Sequence, residues 1–295
     1  MLHQRVTVDS LEISYYQAGE TGDPVILLHG GGTDSAMLSW REAIPALAKE
    51  FRVFAPDWPG YGGSQEMPGP YCLERLVTIL HGLMDAWGLE RAHLVGLSMG
   101  GGAALGYVLA HPDRVSKLVL VDTYGIQKQA PNHRFSYVYL RLPFLVRLTW
   151  QSIRKDKGVA RAALRSVFAN PAGITDALVD EVFEAVQNRS GERSFYAFQR
   201  HEMTWKGLRT NYAARLHEIQ APTLFIHGDQ DRLVPLEAVR RAARQMPNAQ
   251  VRVMEDTGHW APREHPQLFN QWVRDFLKDP PGALPDEVEH EPVGE

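Results

Sequence analysis

The sequence predicts an α/β protein with a mostly parallel central sheet of about eight strands, helices on both faces and an inserted helical cap. Three observations predict it. Short, continuous apolar runs alternate with helical stretches as far as Val121, as in a sheet buried on both faces. From Tyr124 to His217 the pattern is helical, with no convincing strand. Strand and helix then resume from Thr223 to Leu277. The expected organisation is a core of residues 1–123 and 218–279, a cap of 124–217, and a Pro-rich, acidic, disordered tail of 280–295.

The elements follow in order. Gln4–Val8 and Leu11–Tyr16 flank the turn pair Asp9-Ser10 and read as a hairpin. Val25–Leu28 is a buried strand ending at His29-Gly30-Gly31-Gly32, where three glycines let the backbone approach whatever lies above the strand end. Asp34 or Ser35 caps a helix expected to run to about Lys49, and Phe51–Ala55 is the next strand, followed by the turn-rich loop Asp57 to Ser64. A helix over Leu73–Trp87 closes at Gly88. Ala92–Leu97 is a strand, Met99–Ala110 a helix stopped by His111-Pro112, and Lys117–Val121 a strand. In the cap, Val159–Phe168, Thr175–Gln187 and Ser194–Asn211 read as helices, the second with Thr175 as N-cap and Ile174 stapled on Val179. Thr223–Ile226, a helix near Leu236–Gln245, Val251–Met254 and a helix over His265–Leu277 complete the core.

Composition narrows the function classes. The chain has 295 residues, 44% hydrophobic and 22% charged, with a net charge of −4, so no basic stripe recruits nucleic acid. Its one cysteine, Cys72, permits no internal disulfide and reads as a packed thiol. Met1 to Ser10 lacks the features of a signal peptide, and the greasiest region, Tyr137 to Trp150, is broken by Arg141, Pro143 and Arg147, so no membrane span is expected. The resulting expectation is a soluble, cytoplasmic monomer or homodimer.

Gly96-Leu97-Ser98-Met99-Gly100 joins a strand to a helix through a tight turn with a serine at its apex. Side chains at Gly96 and Gly100 would clash with the adjoining strand and helix, and the turn exposes the Ser98 hydroxyl. The plainer reading makes Ser98 a helix N-cap. A serine nucleophile needs a base and a group that orients the base. Asp231 and His259, each in a loop after a late strand, supply them in the order serine, acid, histidine. Asp229 and Asp122 are alternative acids, and His29 reads as a structural hydrogen-bonder. His201-Glu202 lacks a second histidine at metal spacing, and His259 with His265 makes no recognisable set, so neither metal nor cofactor is implied.

Taken together, His29 to Gly32, Asp57 to Ser64, Gly96 to Gly101, Gly228 to Asp231 and Gly258-His259-Trp260 resemble the α/β-hydrolase family in its capped serine-hydrolase branch. The resemblance implies Ser98 as nucleophile, His259 as base and then acid, and Asp231 as the orienting carboxylate. It also implies an oxyanion hole of the Gly31 and Met99 backbone N–H groups, where each donor is worth about 3 kcal/mol. A serine at the elbow argues against the dehalogenase and epoxide-hydrolase branches, which carry aspartate there.

The favoured substrate is a small-molecule carboxylic ester with an apolar or aromatic acyl group. The alternative is a carbon–carbon bond hydrolase of ring meta-cleavage products, which the glycine-rich strand end, Ser98-Met99-Gly100-Gly101 and His259-Trp260 also resemble. Against it stands Leu97, where that branch usually has asparagine, and the need for a lid arginine, for which Arg200 and Arg147 are only nominal candidates. A reading of another class is a non-catalytic binding module, disfavoured by an intact Ser, Asp and His set. The cap aromatics Tyr137, Tyr139, Phe144, Trp150, Phe195, Phe198 and Trp205 are candidates to line the pocket. Gly32, Phe144, Trp150, Trp205 and Trp260 are the expected substrate contacts.

Overall fold

The structure is a computed structural model that describes residues 1–279. The expected tail, 280–295, lies outside the described residues. The chain opens with β1 (Leu2–Val8) and β2 (Leu11–Ala18), an antiparallel hairpin whose turn residues Asp9 and Ser10 both have positive φ. That backbone twist matches the twist of the strands it joins. Next come β3 (Pro24–Leu28), α1 (Ala36–Trp40), α2 (Ala43–Leu47), β4 (Arg52–Pro56), α3 (Leu73–Ala86), β5 (Ala92–Leu97), α4 (Met99–Ala110) and β6 (Val115–Val121). The stretch after β6 holds α5 (His133–Leu140), α6 (Pro143–Lys155), α7 (Lys157–Leu164), α8 (Asp176–Gln187) and α9 (Glu192–Glu202). The chain then returns to the sheet with β7 (Thr223–Gly228), α10 (Leu236–Ala243), β8 (Ala249–Met254), α11 (Ala261–Glu264) and α12 (Pro266–Lys278).

The eight strands form one sheet in the order β1-β2-β4-β3-β5-β6-β7-β8, antiparallel at β1-β2 and β2-β4 and parallel elsewhere. Successive strand residues point to opposite faces, which explains the unbroken apolar runs. In β3, Ile26 and Leu28 enter one core with α3, α4 and α10, whereas Val25 and Leu27 enter the other with α1, α2 and α12. Each fully buried Leu or Val contributes about 1.5–3 kcal/mol, so two-sided burial fixes these strands firmly.

Three sequence expectations change. The single helix expected from Asp34 or Ser35 to Lys49 is two helices, with Ser35 capping the first by accepting from Leu38 N at 3.1 Å. Pro45 has no N–H for the carbonyl of Arg41 and its ring crowds that group, so the helix breaks there. The helix expected over Ser194–Asn211 stops at Glu202, because Thr204 and Gly207 close a tight turn that pairs Met203 with Leu208. The helix expected over Val159–Phe168 is α7, which starts two residues earlier, capped by Asp156, and ends at Leu164. Thr175 caps α8 as expected, accepting from Leu178 N at 3.2 Å.

Candidate active site

Ligand-facing residues of a parallel sheet gather beyond the carboxyl ends of its strands. Here His29, Asp57, Ser98, Asp122, Asp231 and His259 follow β3, β4, β5, β6, β7 and β8 respectively. Ser98 has φ 48° and ψ −115°, a backbone that a side chain tolerates only under constraint. The constraint is visible at the flanking glycines. A Cβ on Gly96 would lie 2.6 Å from the Gly100 carbonyl oxygen, and one on Gly100 would lie 2.2 Å from that of Leu28. Ser98 makes no side-chain cap to α4. Its Oγ lies 2.9 Å from His259 Nε2, and His259 Nδ1 lies 2.8 Å from Asp231 Oδ2.

The environment sets the protonation states. The other Asp231 oxygen accepts from the Leu233 and Val234 N–H groups at 2.7 and 3.0 Å, so both oxygens are engaged. Burial pushes the Asp231 pKa up, but His259 and these hydrogen bonds outweigh it and hold it below 3.8. Burial pulls the His259 pKa down, and the adjacent Asp231 carboxylate outweighs that, leaving it above 6.5. An ionised Asp231 accepts from Nδ1–H, so Nε2 is left unprotonated toward Ser98. That arrangement can take the serine proton and stabilise the imidazolium that results.

Of the alternative acids, Asp229 accepts from Thr257 N at 3.1 Å and shapes the loop. Asp122 is fully buried, accepts from the N–H groups of Gly228 and Ala261, and has its pKa pushed to about 8 by burial and by Asp231. His227 Nε2 donates to the Val234 carbonyl at 2.9 Å, and its Nδ1, 3.3 Å from Asp122 Oδ1, makes no hydrogen bond. Asp122, His227 and Asp231 bring possible metal-ligand atoms within 4.8 Å of one another, but most of those atoms are already in these internal hydrogen bonds. Cys72 is buried at the start of α3, and burial raises its thiol pKa.

The glycine-rich strand end is tied down from below. His29 is fully buried and burial lowers its pKa to about 3, so the ring is neutral. Its Nε2 accepts from Trp58 N at 2.9 Å, while Trp58 Nε1 donates to the His29 carbonyl at 3.0 Å. Asp34 accepts from the Gly30 N–H at 2.8 Å and from Ser39 Oγ, and burial lifts its pKa to about 7. Sequence reasoning did not assign Asp34 this role. It also missed Glu264, which accepts from Gly258 N and Ala169 N, and the bond from His259 N to the Val167 carbonyl at 2.7 Å. A glutamate in a short helix carries no sequence signal for such a task.

A cavity of about 300 Å³ opens above Ser98, with Gly31 and His259 also at its floor. Trp150, Leu164, Val182, Val186, Phe195 and Trp260 wall it, and Gly32 lies at its rim. Gly31 passes under the Phe195 ring, where a Cβ would come within 2.5 Å of the ring carbon Cε2. Two expected contacts are absent. Phe144 is 60% exposed and Trp205 is 53% exposed, and neither lines the cavity. At 3.6 residues per turn, Val146, Trp150 and Ile153 share one face of α6, and Phe144 falls on the other. Trp205 lies in the turn after α9 and packs edge-on against Tyr137 instead. Of the cap aromatics expected in the pocket, only Trp150 and Phe195 line it. Neither Arg147 nor Arg200 does, and no arginine or lysine is among the described lining residues.

A strained serine at a strand-to-helix turn, bonded to a histidine that is bonded to a late-strand aspartate, is the constellation of serine hydrolases on this sheet. The chain belongs to the α/β-hydrolase fold family, whose model matches residues 23–266. It is 32% identical over 282 residues to a 2-hydroxy-6-oxononadienedioate/2-hydroxy-6-oxononatrienedioate hydrolase of Pseudomonas putida, covering 91% of this chain and 92% of that one. Among solved structures, a meta-cleavage product hydrolase from Pseudomonas fluorescens superposes with a TM-score of 0.80 at 29% identity, covering 93% and 97% of the two chains. A thermophilic esterase from Thermogutta terrifontis superposes at 0.76 with 26% identity, covering 94% and 98%. The protein is a hydrolase of this family. Its relatives favour carbon–carbon bond cleavage over the ester hydrolysis that the sequence motifs first suggest.

Proposed function

We propose that the protein hydrolyses a carbon–carbon bond in a small-molecule product of aromatic-ring cleavage, using Ser98, His259 and Asp231. The observation that carries this reading is the end-to-end likeness to hydrolases of that chemistry, combined with the Ser98–His259–Asp231 hydrogen-bond chain. In a vinylogous 1,5-diketone acid, Ser98 Oγ adds to the ketone carbonyl as His259 Nε2 takes its proton. The backbone N–H groups of Gly31 and Met99 are assigned to the developing oxyanion. Collapse breaks the bond to the neighbouring methylene carbon, whose electron pair passes through the conjugated double bond onto the oxygen of the other ketone, and His259 returns the proton to the dienolate so formed. Water, deprotonated by His259, then cleaves the acyl-serine to a carboxylic acid. Residues 124–217 act as the cap, with Trp150 and Phe195 shaping the acyl site, and the protein works as a cytoplasmic monomer or homodimer.

Ester hydrolysis is the second reading, and one observation favours it. A dienoate carries a carboxylate, yet no arginine or lysine lines the cavity among the described residues, and buried anions need partners. The test compares 2-hydroxy-6-oxo-6-phenylhexa-2,4-dienoate, followed by loss of its dienol absorbance, with 4-nitrophenyl esters of graded length. The proposal expects kcat/KM of about 10⁴ M⁻¹ s⁻¹ or more on the dienoate, abolished in Ser98→Ala. Turnover of the esters alone would transfer the assignment to carboxylic ester hydrolysis.

A further inference from the structure

We propose that the outer face of α5 and α6 docks on an anionic lipid surface. Phe135 is 75% exposed and Leu148 is 52% exposed, and Val138, Leu142 and Phe144 are exposed with them. The two helices are joined by the Tyr139 hydroxyl, which donates to Thr149 Oγ1 at 2.8 Å. Five large apolar side chains presented to water within 14 consecutive residues, 135–148, form a feature that folded proteins keep for contact surfaces.

Charge selects the occupant. Residues 133–155 contain Arg134, Arg141, Arg147, Arg154 and Lys155 and no aspartate or glutamate, although the whole chain has a net charge of −4. Arg154 is engaged by Glu192, and Arg141 lies over the Tyr137 ring. Arg147 and Lys155 are exposed, and among the described residues they meet no carboxylate. Helical periodicity places both on the same side of α6 as Phe144 and Leu148. Cations flanking an exposed apolar stripe are complementary to a bilayer with acidic headgroups, where the apolar side chains enter the headgroup boundary. A second copy fits less well, because a twofold contact would set these cations against one another.

The opposite side of the same helix supplies Trp150 and Ile153 to the cavity wall. Docking by α6 therefore sets the apolar cavity wall that this helix builds beside the bilayer. This inference stands apart from the choice of bond cleaved.

The test is co-sedimentation of the full chain with vesicles of phosphatidylcholine alone or with about 30 mol % phosphatidylglycerol. Binding is expected to the anionic vesicles, and to fall at least about tenfold between 0.05 and 0.5 M salt. The double variant Phe135→Ser/Leu148→Ser is expected to bind about tenfold more weakly or less, while keeping its thermal midpoint and its turnover of water-soluble substrates. Absence of binding to anionic vesicles, or equal binding by the double variant, would overturn the proposal. So would a wild-type dimer in sedimentation equilibrium that the double variant dissolves, since the face would then be a self-contact.

Discussion

Replacing Asp231 by asparagine tests how the site holds its base. One Asp231 oxygen accepts two backbone N–H groups, from Leu233 and Val234, and the other meets His259 Nδ1. Asparagine keeps its carbonyl oxygen on the two backbone donors, where only an acceptor fits, which aims its NH₂ group at His259. Facing a donor, the imidazole places its proton on Nε2, and Nε2–H toward Ser98 Oγ cannot act as a base. Enforcing the wrong tautomer in such a triad costs a factor of about 10⁴ in kcat, or about 5.4 kcal/mol of transition-state stabilisation. The backbone anchors survive, so the variant is expected to remain folded by circular dichroism. The assay is pre-steady-state turnover of whichever substrate the wild type accepts, run beside Asp122→Asn and Asp229→Asn. A loss of under tenfold in Asp231→Asn, or a larger loss in Asp122→Asn, would refute this account of the acid.

Two further predictions concern pH and backbone geometry. The neutral form of His259 is the base, and its pKa lies above 6.5, so kcat/KM is expected to rise with pH through a midpoint above 6.5. A stopped-flow pH profile checks this, and a fall across that window would contradict it. Gly100→Ala would place a methyl group 2.2 Å from the Leu28 carbonyl oxygen, with no flexible side chain to yield. Destabilisation of about 3 kcal/mol or more is expected by urea denaturation, and an unchanged midpoint would show that the elbow has slack.

The strands were legible because burial on both faces leaves a mark that needs no partner, an unbroken apolar run such as Val25 to Leu28. The split between α1 and α2 was also written in the sequence, in Pro45, through which the expected single helix was drawn. The positions of Asp231 and His259 are a different matter. Ser98 and His259 meet across 161 residues, and only the order of motifs along the chain pointed to their pairing. Phe144 and Trp205 were misplaced for a related reason. An aromatic in a helical stretch announces that it will be on some face, but which face meets the cavity depends on how α6 packs on α7 and α8. Asp34 and Glu264 are carboxylates that hold loop backbone N–H groups, and every residue but proline offers one.

The contact between the His259 loop and the segment after α7 has a consequence for engineering. His259 donates its backbone N–H to Val167, and Glu264 reaches Ala169, so the polypeptide at 167–169 is scaffolding for the base as well as part of the insert. A chimera that exchanges the whole stretch between β6 and β7 to import another specificity would remove that scaffolding along with the pocket wall. Crossovers placed on either side of Val167–Ala169, leaving those three residues native, keep the two properties separable.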